Sequence, residues 1–270
     1  MTFGSIVTNA QLFFLLFARI IAMLSIAPLL SSTSIPRIAR MALALLAAVM
    51  AFPMVASSGY AIPDTGLAYA LLVIGEALIG IIMGFMLAIV YGAFLTAGQM
   101  FSLQMGFGAS QVLDPLAQVE IPLLGQFLNI MAMLVFVFTE GFQRVFLAGV
   151  YYSFQSVRAV DLVLMREDLI GTMLRGLTGL FGNALIIAFP ILGTLFLVQV
   201  VMGLLAKAAP QMNLLMMGFP ISIGVAFLIL MVCIPFLVET FDRLIGAGFE
   251  TLMRFIQGAQ AAHAAQGAVP

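Results

Sequence analysis

The fold this sequence predicts is an all-α membrane protein of about six kinked apolar helices, and three observations predict it. The 270 residues are 64% hydrophobic and only 8% charged, with a mean hydropathy of +1.22. Soluble domains carry about 25% charged residues, and no soluble fold could hide this much apolar surface. The apolar residues fall in runs near or beyond the roughly 20 residues a helix needs to cross a bilayer. Prolines stand inside or beside these runs, at Pro28, Pro53, Pro190, Pro220 and Pro235, where they bend helices.

The elements follow in order. Residues 11–30 form a first span, with Arg19 inside it, and SSTSIPRIAR (31–40) turns the chain. Residues 41–56 form a short second span, closed by the Gly- and Pro-bearing turn SSGYAIPDTG (57–66). Residues 67–96 predict a long third helix and 123–154 a fourth apolar stretch carrying Glu140 and Arg144. A charged connector leads to 169–206, too long for one straight span, and KAAPQMN (207–213) reads as a tight turn before the last apolar run at 214–238. In ETFDRLIGAGFETLMRFI (239–256), Phe241, Ile245, Phe249, Leu252 and Ile256 recur at helical spacing. Glu239–Arg243 and Glu250–Arg254 add i,i+4 pairs in the favourable order. An amphipathic helix is expected there, on a membrane surface or against a partner. The tail 258–270 is small and polar and is expected to be disordered.

Composition also excludes functions. A net charge of −1 gives no footprint for nucleic acid. One cysteine, Cys233, cannot form an intrachain disulfide. One histidine, His263 in the tail, cannot build a His-based triad or a typical metal site. Asp64, Asp114 and Asp161 lie in connectors without a pairing motif, so neither an enzyme nor a cofactor is expected. No Lys or Arg precedes Arg19, so the first run lacks the basic start of a cleaved leader and is expected to stay. With both ends inside, Arg158, Arg166, Arg175, Arg243 and Arg254 face Arg37, Arg40 and Lys207 across the membrane, a weak orientation bias.

The segment Ala97–Gln126, AGQMFSLQMGFGASQVLDPLAQVEIPLLGQ, fits neither lipid nor water. It is too polar and too rich in Gly and Pro for a span, yet Asp114 and Glu120 are its only charges. Such a chain belongs where protein encloses it or where it lines a cavity. Glu76, Gly80, Gly84, Ala88 and Gly92 repeat at four-residue steps, a slowly winding stripe on the third helix. Small residues at that spacing let helix backbones approach. Glu76 therefore faces another helix, either as a structural group paired with Arg19 or Arg144 or as an ion site. Glu140 and Arg144 either neutralise each other or sit at an interface beyond a helix end near Thr139. Met100, Met105, Met212, Met216 and Met217 fill a core or line a deformable gasket.

Three segments together carry a resemblance: IPRIARMALALL (35–46), GEALIGIIMGF with AGQMFSLQMGFGASQVLDP (75–85 and 97–115), and AKAAPQMNLLMMGFPISI (206–223). The sequence resembles the FliR family of type III export-gate proteins over about residues 5–257. P-Q-M-N at Pro210–Asn213 with G-F-P at Gly218, Phe219 and Pro220 is the most specific part. Leu214-Leu215 departs from the family, which often has an aromatic after the asparagine.

The resemblance implies a single export-gate membrane domain over residues 1–257, FliP-like over about 1–160 and FliQ-like over 161–257. It implies a gate of five FliP, four FliQ and one FliR, with FlhB and FlhA beside it, in the bacterial inner membrane at the flagellar basal body. Its cargo would be unfolded export substrates, and its surroundings membrane lipid. It also implies a pore plug at about Gly106–Pro122, with Gly106, Phe107, Gly108, Ala109, Ser110, Gln111, Val112, Leu113, Asp114 and Pro115 as its core. Gly and Pro there oppose a continuous helix, and Phe107, Val112 and Leu113 suit an apolar seal. Lys207, Pro210, Gln211 and Asn213 become a FliQ-like hairpin tip contacting FlhB or a neighbouring subunit. Gly218, Phe219 and Pro220 belong to the same contact. The rival reading is a small ion-coupled transporter using Glu76, against which stands the absence of a convincing inverted repeat.

Overall fold

A computed structural model describes residues 3–28, 30–31, 35–57, 60, 62–63, 65–106, 123–159, 162, 165–209, 211 and 214–267. Among these residues the regular structure is helical. In chain order the elements are α1 (Phe3–Ile26), α2 (Arg37–Ser57), α3 (Gly66–Gln104) and α4 (Leu123–Phe138). After them come α5 (Gly141–Phe146), a π-helical turn (Leu147–Tyr152), α6 (Ser153–Ser156), α7 (Arg166–Ala208) and α8 (Leu214–Gly267). Among the described residues, five helices are long and apolar enough to cross a membrane, or six if α4 and the broken helix after it make one span. The expected all-α membrane fold is therefore the observed one.

Three boundaries differ from expectation. The third helix runs on to Gln104, so the first residues of the misfit segment, Ala97–Gln104, are helical. Gln99 is exposed and Ser102 buried, and neither stops a helix that already has about nine turns behind it. The amphipathic segment 239–256 is no separate helix: α8 passes through it without a break. Its apolar stripe is buried, with Phe241, Ile245, Phe249, Leu252 and Ile256 all in the core. The charged pairs Glu239–Arg243 and Glu250–Arg254 form on the exposed side. The stripe thus packs on the chain itself rather than on lipid. Finally, α8 continues to Gly267, through the stretch expected to be disordered, because AQAAHAAQ is dominated by the best helix former.

The fourth apolar stretch breaks at Thr139–Glu140, as the interfacial reading of Glu140 and Arg144 required. Glu140 adopts a left-handed φ of 57° at the start of α5. The Arg144 N–H donates to the Glu140 carbonyl at 3.0 Å, and the Arg144 guanidinium lies 6.0 Å from the Phe249 ring.

The chain packs as two compact units: residues 1–90, 137–176 and 245–270, and residues 91–136 and 177–244. Each takes segments from both sides of residue 160, so the units do not coincide with the two halves that the resemblance implies. In the first unit α3 lies backbone to backbone on α1. A side chain at Gly80 would strike the Arg19 carbonyl and come within 3.0 Å of the Met23 nitrogen, and one at Gly84 would meet the Met23 carbonyl at 2.7 Å. The Phe13 and Phe52 rings meet edge to face, joining α1 to α2. In the second unit Gly98 of α3 meets the backbone of Leu124 and Gly125, at the start of α4. Tyr91, Phe94, Phe136 and Phe241 form one aromatic cluster there.

Candidate functional site

The first unit holds a buried ion pair. Arg19 of α1 and Glu76 of α3 are both fully buried. The Arg19 Nε donates to Glu76 Oε2 at 2.6 Å, and its Nη2 ion-pairs with the same oxygen. The rest of the guanidinium is also satisfied. Its Nη1 donates to Ser153 Oγ at 3.2 Å, its Nη2 donates to the Val157 carbonyl at 2.9 Å, and its carbon lies 3.8 Å from the Phe154 ring centroid. Glu76 Oε1 accepts a hydrogen bond from the Tyr60 hydroxyl at 2.5 Å. The Arg158 guanidinium sits 5.9 Å from the Tyr60 ring. A charge moved out of water costs several kcal/mol unless it is paired and hydrogen-bonded. Here one arginine and one carboxylate compensate each other and tie four segments together: α1, the connector before α3, α3 itself, and the end of α6.

Local sequence explains the geometry. Gly80 and Gly84 continue the Glu76 stripe and bring α3 close enough to α1 for a short ion pair. Ser153 is held by its own bonds to the Gly149 carbonyl at 2.6 Å and the Val150 carbonyl at 3.4 Å, inside the π-helical turn. Gly149 lies against the side chain of Met23, whose sulfur would have to shift to admit a side chain there. Tyr60, in the connector, has its phenol pushed above the usual value of about 10, first by burial and then by the neighbouring Glu76 charge. Sequence reading offered Arg19 or Arg144 as the partner of Glu76; it is Arg19. It missed Tyr60, Ser153, Phe154 and Val157.

The second unit holds the root of the segment read as a plug. Gly106 follows the last turn of α3 at a left-handed φ of 93°, and a side chain there would overlap the Phe219 ring. Phe107, Gly108, Ala109, Ser110, Gln111, Val112, Leu113, Asp114 and Pro115 lie outside the described residues, as does the rest of the segment to Pro122. Of the hairpin residues, Lys207 is exposed in the last turn of α7 and Gln211 is exposed in the turn. Pro210 and Asn213 lie outside the described residues, whereas Gly218, Phe219 and Pro220 are helical, near the start of α8. Gly106 and Phe219, which sequence reading put in separate groups, are therefore neighbours. Among the described residues no group of three His, Cys, Asp or Glu side chains could hold a metal ion.

The chain is 30% identical over 256 residues to the flagellar biosynthetic protein FliR of Bacillus subtilis, covering 94% of this chain and 97% of that one. It is 24% identical over 246 residues to FliR of Escherichia coli, covering 91% and 93%. It is also 28% identical over 158 residues to the surface presentation of antigens protein SpaR of Shigella flexneri, covering 58% and 60%. Residues 10–248 match the family of bacterial export proteins, family 1, and the chain belongs to that family.

Proposed function

We propose that the chain is a structural and gating subunit of a flagellar type III export gate in the bacterial inner membrane. It would assemble with FliP- and FliQ-like subunits, beside FlhA and FlhB, around a pore for unfolded substrates, with Gly106–Pro122 as the pore plug. The observation that carries an assembled gate, rather than a lone membrane protein, is the apolar face of α7. Ile170, Leu174, Phe181, Phe189, Phe196 and Leu204 are each more than half exposed. At 1.5 Å per residue this face runs for about 50 Å, against a hydrocarbon core of about 30 Å. Lipid cannot cover all of it, so other apolar helices must.

The flagellar reading is favoured over an injection apparatus because FliR of Bacillus subtilis and of Escherichia coli align with 94% and 91% of this chain and SpaR of Shigella flexneri with 58%. Against the transporter reading, both oxygens of Glu76 are engaged, by Arg19 and Tyr60. Deleting Gly106–Leu113 tests the plug. The gate should still co-purify with its FliP- and FliQ-like partners while the membrane becomes leaky to small solutes. An assembled gate with background permeability would end the plug reading.

A further inference from the structure

In the first unit, the end of α2 and the end of α6 enclose a cavity of about 190 Å³, lined by Met54, Val55, Ser57, Phe154 and Gln155. Its floor is apolar, since Val55 and Phe154 are buried, and it is fixed, since Phe154 also lies against the Arg19 guanidinium. Its rim is polar: Ser57 and Gln155 are exposed. The Ser57 hydroxyl donates to the Met54 carbonyl at 2.7 Å, but the Gln155 Nε2 donates only to the Met54 sulfur at 3.7 Å. A thioether is a weak acceptor, so a good donor is poorly used there. The chain leaves the rim from Ser57 towards Tyr60 and from Gln155 towards Arg158, and the two meet again, with the Arg158 guanidinium 5.9 Å from the Tyr60 ring. Arg158 is exposed. The depth of this place follows from α2, whose 21 residues span about 31 Å, the thickness of a hydrocarbon core. Arg37 and Arg40 mark one boundary, so Ser57, at the other end of the helix, lies where acyl chains meet headgroups. Tyrosine favours that boundary, and three of the five tyrosines are here: Tyr60, and the half-exposed Tyr151 and Tyr152, which meet edge to face. From the cavity, Met54, Met50 and Leu46 follow one another at four-residue steps along α2, and Met50 and Leu46 are more than half exposed. An apolar stripe therefore runs from the hydrocarbon core into a cavity with a cation beside its rim.

We propose that this cavity is a binding site for one anionic phospholipid. Arg158 and the Gln155 amide take the phosphate, the cavity takes the glycerol-ester region, and the stripe Met54–Met50–Leu46 takes an acyl chain. The order of the three parts along α2 is the order of the three parts of a lipid. A guanidinium matches a phosphate in charge and in hydrogen-bond geometry, and basic side chains at the membrane surface favour anionic lipids. A soluble anion would use the cation and leave the stripe idle; a neutral lipid would use the stripe and leave the cation idle.

The test uses the full chain, alone and assembled with its partner subunits, in mild detergent. After exposure to phosphatidylglycerol, native mass spectrometry should show one lipid retained by the chain, and the unfolding temperature should rise by several degrees. Phosphatidylcholine with the same acyl chains should do much less, and inorganic phosphate nothing. Arg158→Gln should lower retention of phosphatidylglycerol several-fold and leave that of phosphatidylcholine unchanged, whereas Arg158→Lys should keep most of it. Ser57→Phe, which fills the cavity from its exposed rim, should lower retention of both lipids. If Arg158→Gln does not fold, Gln155→Leu reads the headgroup contact with the same expectation. Undiminished retention in the headgroup variant and in Ser57→Phe would overturn the site. Stabilisation by inorganic phosphate equal to that by the lipid would overturn the lipid as its occupant. Loss of the bound lipid when the chain joins its partner subunits would give the cavity to a neighbouring protein and overturn the proposal as well.

Discussion

At the scale of single residues, the chain commits most to Arg19 and Glu76. Removing one member of a fully buried pair leaves the other charge uncompensated, typically a loss of about 3–5 kcal/mol. Glu76→Gln should therefore lower the thermal stability of the purified protein in detergent sharply, and replacing both residues by leucine should recover part of it. A transporter using Glu76 would lose ion coupling as well. Tyr60 gives the pair a pH signature. Its phenol holds its proton in the folded protein more tightly than in the unfolded chain. The associated stability is fully present below about pH 10 and is lost as pH rises above that. Denaturation followed from pH 8 to 11 should show a fall that Tyr60→Phe flattens. Sequence reading could say that Glu76 needed a cation but not which one. Arg19 is 57 positions away, and a single sequence holds no record of contacts at that separation. For the same reason Phe219 and Gly106 were each legible as special but not as partners.

At the scale of elements, glycine spacing decides which helices touch. Gly80→Leu or Gly84→Leu would drive a side chain into the α1 backbone, costing about 1–3 kcal/mol or more where backbone cannot yield. Gly182→Ala, on a stretch of α7 with nothing within reach, should instead be neutral or stabilise by about 0.5–1 kcal/mol. Chemical denaturation of the three variants under one condition compares them directly. The four-residue stripe and the amphipathic stripe of α8 were readable because they repeat with the period of a helix. Helix ends were not. Gln99, Ser102 and Gln104 look like an interruption when hydropathy is averaged, yet polar side chains are tolerated on a helix whose surroundings are protein. The charged pairs from Glu239 onward likewise suggested a boundary that the backbone of α8 does not observe.

At the scale of the whole molecule, the apolar runs announced a membrane protein but not what covers each face. The α7 helix buries only a narrow set, Ala184, Ile187, Ala188, Ile191 and Leu195. Its contour of about 65 Å is twice a bilayer. Spin labels placed singly from Ile170 to Leu204 in the assembled gate should report lipid contact over a window of about 20 residues. Sites beyond that window should be shielded by protein. Lipid contact along the full length would argue against partner subunits on this face. Exposure of this extent was invisible in the sequence, because an apolar residue reads the same whether lipid, a neighbouring subunit or the chain's own core covers it.

The π-helical turn at Leu147–Tyr152 has a consequence for how the length of this chain can vary. Such a turn holds one residue more than an α-helical turn. Losing one residue there lets the helix close into regular α geometry while the flanking parts keep their phase, so Ser153 and Val157 still reach Arg19. Losing one residue within a regular helix rotates everything beyond it by about 100°. Omitting the half-exposed Tyr151 should therefore spare export far more than omitting Phe94 from α3, as motility of cells carrying each deletion would show. A single-residue gap is what this turn can absorb and what the glycine-packed helices cannot.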